Sequence, residues 1–418
     1  MQRRGFVAWT SAALAAGFSL ELRQARALAR GVAEEPTKDG SIFGGPPVLQ
    51  SPASDAITVF QGVRGLSTGW VEYGTTASLG ERADTMRHGL LPLNGLVQRV
   101  RLTGLKPDTT YHYRVGVAPI DFRGAYKITR GPDQFSPVHS FRTLSDEGRR
   151  ASFLVINDTH ENMETLRGLS AQIAAARRRH ADASLPSGGP LFWNGDIFDD
   201  VRNDQQIAAN VLTPPIAVDA PGAELGYASQ APMCFVSGNH DVRGIHARSL
   251  DMFVDTPGGL RYAIIRHGPI AFVVLDTGED KPDAHGVYAG LGAFEAYRAQ
   301  QGTWLDTALR DPRVQRAACR IVIQHIPMFG GGSCEGARQH WAKRLADAKV
   351  TAVISGHTHH YAFSPAGPEQ PFAQLVGGGP APEAATLIEG VVDGTTLTLT
   401  VRGLDGAVRG VHEVPVAG

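Results

Sequence analysis

Five polar clusters interrupt apolar runs in this chain, and their side chains are of the kinds that bind metal ions. Asn157-Asp158-Thr159-His160 follows the run Ser152 to Ile156. Asn194-Gly195-Asp196-Ile197-Phe198-Asp199-Asp200 follows Leu191 to Trp193, and Ser237-Gly238-Asn239-His240-Asp241 follows Met233 to Val236. Gln324-His325 follows Ile321 to Ile323, and Ser355-Gly356-His357-Thr358-His359-His360 follows Val350 to Ile354. Asp158 and Asp196 offer carboxylate oxygens, Asn239 an amide oxygen, and His160, His325, His357 and His359 imidazole nitrogens. This mixed set suits Zn, Fe, Mn, Ni or Co better than Ca or Mg. The seven donors are too many for one ion with open positions, but fit two ions that share a carboxylate. Singly the clusters say little, since Asp-x-His is commonly a turn and a lone strand-end His commonly structural. Their joint occurrence, each after an apolar run, is what points to a dinuclear site. Gly195, Gly238 and Gly356 each precede a donor, where the missing side chain lets the strand end turn sharply and the backbone approach an ion.

The apolar runs before the clusters read as buried strands. They alternate with helical segments at Met163 to His180, Ala296 to Leu309 and Ala337 to Ala348. Strand–helix alternation implies an α/β sheet with covered faces. Ligands bind such a sheet at the carboxyl ends of its strands, so all five clusters are expected to converge at one edge. Beyond Phe372 the pattern returns to β alternation, Thr386 to Val401, with a hairpin turn at Asp393-Gly394. Those strands are expected to close one edge of the sheet. The catalytic unit is thus expected to span residues 150–418.

Upstream, residues 51–145 show short alternating runs separated by turn residues: Ala56 to Gln61, Thr68 to Tyr73, Val97 to Leu102, Thr110 to Val117 and Val138 to Thr143. Helical periodicity is absent, so a small all-β sandwich is expected. Residues 30–50 are rich in Gly, Pro and charge and read as a linker. Residues 1–29 have the parts of an export signal: the Arg3-Arg4 pair, an apolar stretch from Phe6 to Leu20, and Ala27-Leu28-Ala29 as an A-x-A cleavage site. The paired arginines point to the twin-arginine route and a periplasmic or secreted protein. That stretch is shorter than the ~20 residues of a spanning helix, and no membrane span is expected in the mature protein. Of the three cysteines, Cys234 reads as a small core residue, while Cys319 and Cys334 could pair.

The length of 418 residues suggests more than one domain, and 42% apolar with 19% charged residues suits globular ones. A net charge of −1 argues against nucleic acid as the main partner. Nothing here indicates an oligomeric state.

The stretch Leu105-Lys106-Pro107-Asp108-Thr109-Thr110-Tyr111, with Tyr113 and Val115 after it, resembles the fibronectin type III signature. The resemblance implies a corner closed by a hydroxyl-to-backbone bond from the tyrosine. The ordered set D-x-H, G-D-x-x-D, G-N-H-D, strand-end His and G-H-x-H resembles the calcineurin-like metallophosphoesterases. That resemblance implies a four-layer α/β/β/α sandwich. It also implies that Asp158, His160 and His359 hold a first metal and Asn239, His325 and His357 a second, with Asp196 bridging. His240 would stay off the metals and face the substrate. Two-metal logic then gives in-line attack by a metal-bridging hydroxide, with His240 as general acid to the leaving alkoxide. Asp241 would orient or tune His240, and Arg243 and Arg248 would grip phosphate. Asn194, Asp199 and Asp200 would orient ligand imidazoles. A sandwich ahead of such a domain resembles purple acid phosphatases, but His160 replaces the Gly of their D-x-G and Asp199 the Tyr of their G-D-x-x-Y. The resemblance therefore extends to architecture and not to a ferric-tyrosinate centre. The expected cofactors are two divalent or mixed-valence transition metal ions, Fe, Mn or Zn, and the expected substrate a small phosphorylated molecule. The alternatives are a cyclic-nucleotide or nucleotide phosphodiesterase and, more distantly, a non-catalytic adhesion protein.

Overall fold

The computed structural model describes residues 40–214 and 226–416. The export signal expected over residues 1–29 lies outside them. The strands run β1 Val48–Gln50, β2 Ala56–Gly62, β3 Ser67–Gly74, β4 Glu81–Asp84, β5 Val97–Thr103, β6 Thr110–Phe122, β7 Ile128–Arg130, β8 Gln134–Phe135, β9 His139–Arg142, β10 Arg150–Ile156 and β11 Leu191–Asn194. They continue with β12 Met233–Val236, β13 Ala263–His267, β14 Ile270–Val274, β15 Cys319–Ile323, β16 Ala352–Ser355, β17 Ala362–Ser364, β18 Ala373–Val376, β19 Thr386–Asp393, β20 Thr396–Gly403 and β21 Val408–Pro415. The three long helices are α1 Met163–Asp182, α2 Phe294–Ala308 and α3 Glu335–Asp347.

The five cluster-bearing strands do not share one sheet. β10, β11 and β12 run parallel in a nine-stranded sheet ordered β21-β20-β19-β10-β11-β12-β1-β2-β5. β15 and β16 run parallel in a six-stranded sheet ordered β13-β14-β15-β16-β18-β17. The expected single edge is therefore a seam between two stacked sheets. Their strands read as continuous apolar runs because both faces are covered. Phe153 and Val155 of β10 pack against Phe272 and Val274 of β14 and against Ile321 and Ile323 of β15 between the sheets. Leu154 and Ile156 point the other way, onto Leu166, Leu169 and Ile173 of α1. On the far side, Val273 and Val322 pack under Leu305 of α2 and Trp341 of α3. The layers are thus α/β/β/α. β14, which starts the four-stranded parallel run β14-β15-β16-β18 of the smaller sheet, is not among the strands expected from the sequence.

The predicted C-terminal hairpin forms, with Asp393 opposite Thr396 and Gly394 at φ +59° in the turn. β19 lies antiparallel to β10, so this segment does close one side of the large sheet. The N-terminal sandwich differs from expectation in one respect. Val48–Gln50, read as the end of a linker, is a strand that pairs with β12 through Gln50 and Met233, and β2 and β5 extend the same sheet. One layer of the sandwich is therefore continuous with the large sheet, and the other is β4-β3-β6-β7, with β8 and β9 paired to β6. The tyrosine corner is present, the Tyr111 hydroxyl accepting from the Lys106 backbone N–H at 3.0 Å. Tyr113 donates to the Ser229 carbonyl at 2.7 Å and ties the sandwich to the rest. Cys234, Cys319 and Cys334 are all buried and free, so the Cys319–Cys334 pair does not form. Among the described residues no helix is long and apolar enough to cross a membrane.

Candidate metal centre

Each of the five cluster-bearing strands stops where its chain turns to present a donor, and the turns are tightly stitched. The Asp158 N–H donates to Gly195 O at 3.0 Å, His160 N–H to Asp196 O at 2.9 Å and Glu161 N–H to Ile197 O at 2.9 Å. Five donor-bearing residues occupy left-handed backbone: Asp158 at φ 49°, His160 at 43°, Asp196 at 53°, His357 at 72° and His359 at 60°. This conformation costs a non-glycine residue roughly 1–2 kcal/mol, and clusters of it mark functional sites. The glycines serve close approach. A Cβ on Gly238 would lie 2.3 Å from Asp196 Oδ1, and one on Gly356 would lie 2.2 Å from Asp158 Oδ2.

Six of the expected donors fall into two groups that share Asp196, Asp158, His160, Asp196 and His359 in one and Asp196, His325 and His357 in the other, while His160, Asp199 and His240 form a third group beside the first. Asn239 joins the second group, its Oδ1 lying 2.9 Å from His357 Nδ1. His160 Nε2 faces His359 Nε2 at 3.2 Å and Asp196 Oδ2 at 3.4 Å. His359 Nε2 lies 3.3 Å from Asp158 Oδ1, and His325 Nε2 lies 3.2 Å from Asp196 Oδ2. The seven residues singled out as metal donors are therefore brought together.

These residues fit a pair of metal ions on their own chemistry. His325 Nε2 is buried and meets the Asp196 carboxylate at an angle that makes no well-formed hydrogen bond. Its other nitrogen lies 2.8 Å from the Asn194 carbonyl, which holds the tautomer with the proton on Nδ1 and leaves Nε2 free to ligate. Burial disfavours charge on His325, but Asp196 and Asp158 beside it hold its imidazolium pKa up to about 10. A cation in that place has to displace this proton. Burial likewise works against ionisation of Asp196, yet His325 and His160 hold its carboxylate well below the usual range.

The surrounding residues answer the remaining expectations. Asn194 donates to the Gln324 carbonyl at 3.0 Å, joining the ends of the two sheets. Asp199 Oδ1 lies 3.0 Å from His160 Nδ1, whereas Asp200 pairs with Arg202 away from the donors. Asp241 is buried and accepts from the backbone N–H groups of Gly238 at 2.8 Å, Asp196 at 2.9 Å and Ile197 at 3.0 Å. It fastens two donor loops together and makes no hydrogen bond to the His240 ring. Burial, with Asp196 beside it, raises its pKa to about 7. His240 Nδ1 lies 2.7 Å from the Asp199 carbonyl and Nε2 2.8 Å from Arg243 Nη1. Arg243 is itself held by Glu279, with contacts of 2.6 and 2.9 Å, and by Asp280 at 3.0 Å. Arg248 is exposed and contacts none of the donors.

Sequence reasoning passed over Glu279 and Asp280, which anchor Arg243. It also passed over the bond from Asn157 Nδ2 to Asp158 Oδ2. The triplet Gly377-Gly378-Gly379 was a legible signal, because a Cβ on Gly379 would meet His359 Cβ at 2.5 Å.

Residues 151–361 match the calcineurin-like phosphoesterase family, and this chain belongs to it. Residues 49–143 match the purple acid phosphatase N-terminal domain. Among curated relatives, the serine/threonine-protein phosphatase CPPED1 of Bos taurus is 30% identical over 145 residues, 32% of this chain and 43% of that protein. The Homo sapiens protein of the same name is 30% identical over 142 residues, 31% of this chain and 42% of that one. The matched region thus spans about two fifths of the relatives' length. The purple acid phosphatase PPD1 from yellow lupin (Lupinus luteus) seeds superposes with a TM-score of 0.62 at 16% identity, covering 89% of this chain and 74% of that one. The structure of PhoD superposes with a TM-score of 0.58 at 12% identity, covering 93% and 94%. Both show a shared fold.

The left-handed donor turns lead to a stability prediction. His160→Gly removes strain at φ 43°, and after the extra chain entropy of glycine it should stabilise the metal-free protein by about 0.5–1 kcal/mol. The same variant should bind less metal. Thermal unfolding with and without chelator, beside elemental analysis, checks both. A metal-free Tm well below that of the parent would show that packing of the ring outweighs the strain.

Proposed function

We propose that this chain hydrolyses phosphate esters of small alcohols at a dinuclear metal centre. One observation carries the reading: the donors form two groups with Asp196 common to both. Asp158, His160 and His359 would hold one ion, and Asn239, His325 and His357 the other. The mixed oxygen and nitrogen donors suit Fe, Mn or Zn. When bound, such a pair supplies a strong nucleophile from water and neutralises the phosphoryl oxygens. Asn157 and the His357 N–H hold the Asp158 carboxylate, at 2.9 Å in the second case, so its free lone pairs are aimed. In the net reaction water adds to phosphorus, the ester P–O bond breaks, and the alcohol leaves with one proton.

His240 would deliver that proton, and its resting arrangement constrains how. The Asp199 carbonyl keeps a proton on Nδ1, and Nε2 accepts from Arg243. Nε2 has to gain a proton, and Arg243 has to turn aside, before the ring donates to an alkoxide. The near-neutral charge of −1 favours a small substrate over a polynucleotide. We also propose export by the twin-arginine route, supported by Arg3-Arg4 ahead of the apolar stretch.

Three measurements test these assignments. Asp196→Asn should abolish phosphatase activity and lower metal content more than Asn239→Ala, because a shared carboxylate neutralises both ions. Full double occupancy in Asp196→Asn would contradict the sharing. His240→Ala should slow alkyl phosphates by much of the 10²–10⁴-fold range typical of acid catalysis, and nitrophenyl phosphate clearly less. A loss independent of the leaving group would reject the acid role. Replacement of Arg3 and Arg4 by lysine should stop processing and periplasmic accumulation, and undiminished export would rule out the route.

A further inference from the structure

Beyond Arg243 lies a cleft of about 690 Å³ to which none of the seven metal donors contributes. One wall comes from the segment after β12, with Ile245 and Arg248. The other comes from the segment before α2, with Val287, Tyr288 and Leu291. The volume is that of a small-molecule site. Ile245, Val287 and Leu291 are 82%, 67% and 74% exposed, a concentration of aliphatic surface beside a polar centre. The Tyr288 hydroxyl is buried and faces the Glu279 carboxylate without a well-formed hydrogen bond.

The charges of the cleft are uneven. Arg243 is bound by Glu279 and Asp280, and Lys281 by Asp280 at 2.7 Å. Among the described residues of the cleft, Arg248 is the one cation with no carboxylate partner. The second wall is braced. The Asp283 carboxylate accepts from the N–H of Phe294 at 2.8 Å and of Glu295 at 3.1 Å, which caps α2, and Arg298 donates to the Glu279 carbonyl at 3.3 Å. The cleft is therefore formed in advance of any ligand.

We infer that this cleft is the leaving-group subsite and that it selects phosphomonoesters whose alcohol has an aryl-sized apolar body ending in an acidic group. This rests on the phosphoesterase reading above. Arg243 stands at the border, 2.8 Å from His240 Nε2. An ester oxygen next to His240 would direct its carbon side past Arg243 into the cleft. The apolar body would then cover Ile245, Val287 and Leu291, and the acidic end would reach Arg248.

The experiment uses the full, metal-loaded chain and three esters whose alcohols have matched basicity: propyl phosphate, phenylpropyl phosphate and its para-carboxy derivative. Phenylpropyl should exceed propyl in kcat/KM by about tenfold or more. The carboxylate should add a further ~3–10-fold, lost at high salt and in Arg248→Ala. The double variant Ile245→Ser/Leu291→Ser changes two exposed positions and should collapse the phenylpropyl-to-propyl ratio. Equal kcat/KM for the three esters, or a preference for a cationic tail, would overturn the assignment. Binding of the non-hydrolysable para-carboxyphenylpropyl phosphonate, followed by calorimetry, separates the two readings. If no ester turns over yet the phosphonate binds and Arg248→Ala weakens it, the cleft stands and the phosphoesterase reading falls. If the esters turn over without selectivity, or the phosphonate does not bind, the cleft assignment falls.

Discussion

Two buried carboxylates set the terms for this molecule. Asp158 and Asp196 are 0% and 1% exposed, at the meeting point of two sheets. An unpaired charge there would be prohibitive, because burial strips it of water and the interior screens poorly. The surrounding atoms answer that cost in layers. Backbone N–H groups of His357 and His240 donate to the carboxylates, and imidazoles crowd their outer oxygens. His325 Nε2 lies between the two carboxylates, 3.2 Å from Asp196 and 3.8 Å from Asp158, without a well-formed hydrogen bond, an arrangement compatible with a bound cation.

That constraint accounts for much of the surrounding architecture. Donors from five strand ends can meet only if the two parallel runs stack in register, and the aromatic layer of Phe153, Phe192 and Phe272 holds them so. The turns then accept left-handed backbone at five donor residues, which a well-packed frame can sustain. The Asp241 carboxylate accepts from backbone N–H groups on both sides, so it ties the Asp196 loop to the Asn239 loop. The N-terminal sandwich adds to the same frame through β1, since its layer is an extension of the large sheet.

Around the donors, polarity changes sharply with distance. Glu279 and Asp280 hold Arg243 against His240, so this guanidinium is a fixed element of the wall. Arg248, a few residues further on, has no such anchor and sits among aliphatic side chains. One arginine of the cleft is thus tethered and the other is not.

The donor types, their order and the runs preceding them were readable from the sequence, because a polar cluster after a buried strand stands out against apolar periodicity. Every expected strand and all three long helices form, since hydrophobic pattern and turn chemistry are local. Other features depended on tertiary structure. Placement of the five strands in two sheets follows from packing between β10 and β14, and β14 carries no polar signature to reveal it. Val48–Gln50 looked like linker because a short run beside prolines has no pattern of its own, and it becomes a strand through its pairing with β2 and β12. Asp241 looked like a partner of the adjacent His240, yet the turn directs its carboxylate inward to backbone N–H groups. Glu279 and Asp280 lie far along the chain from Arg243, and only the fold brings those charges into contact. Residue type and spacing thus determined which atoms were available, while packing decided which of them face one another.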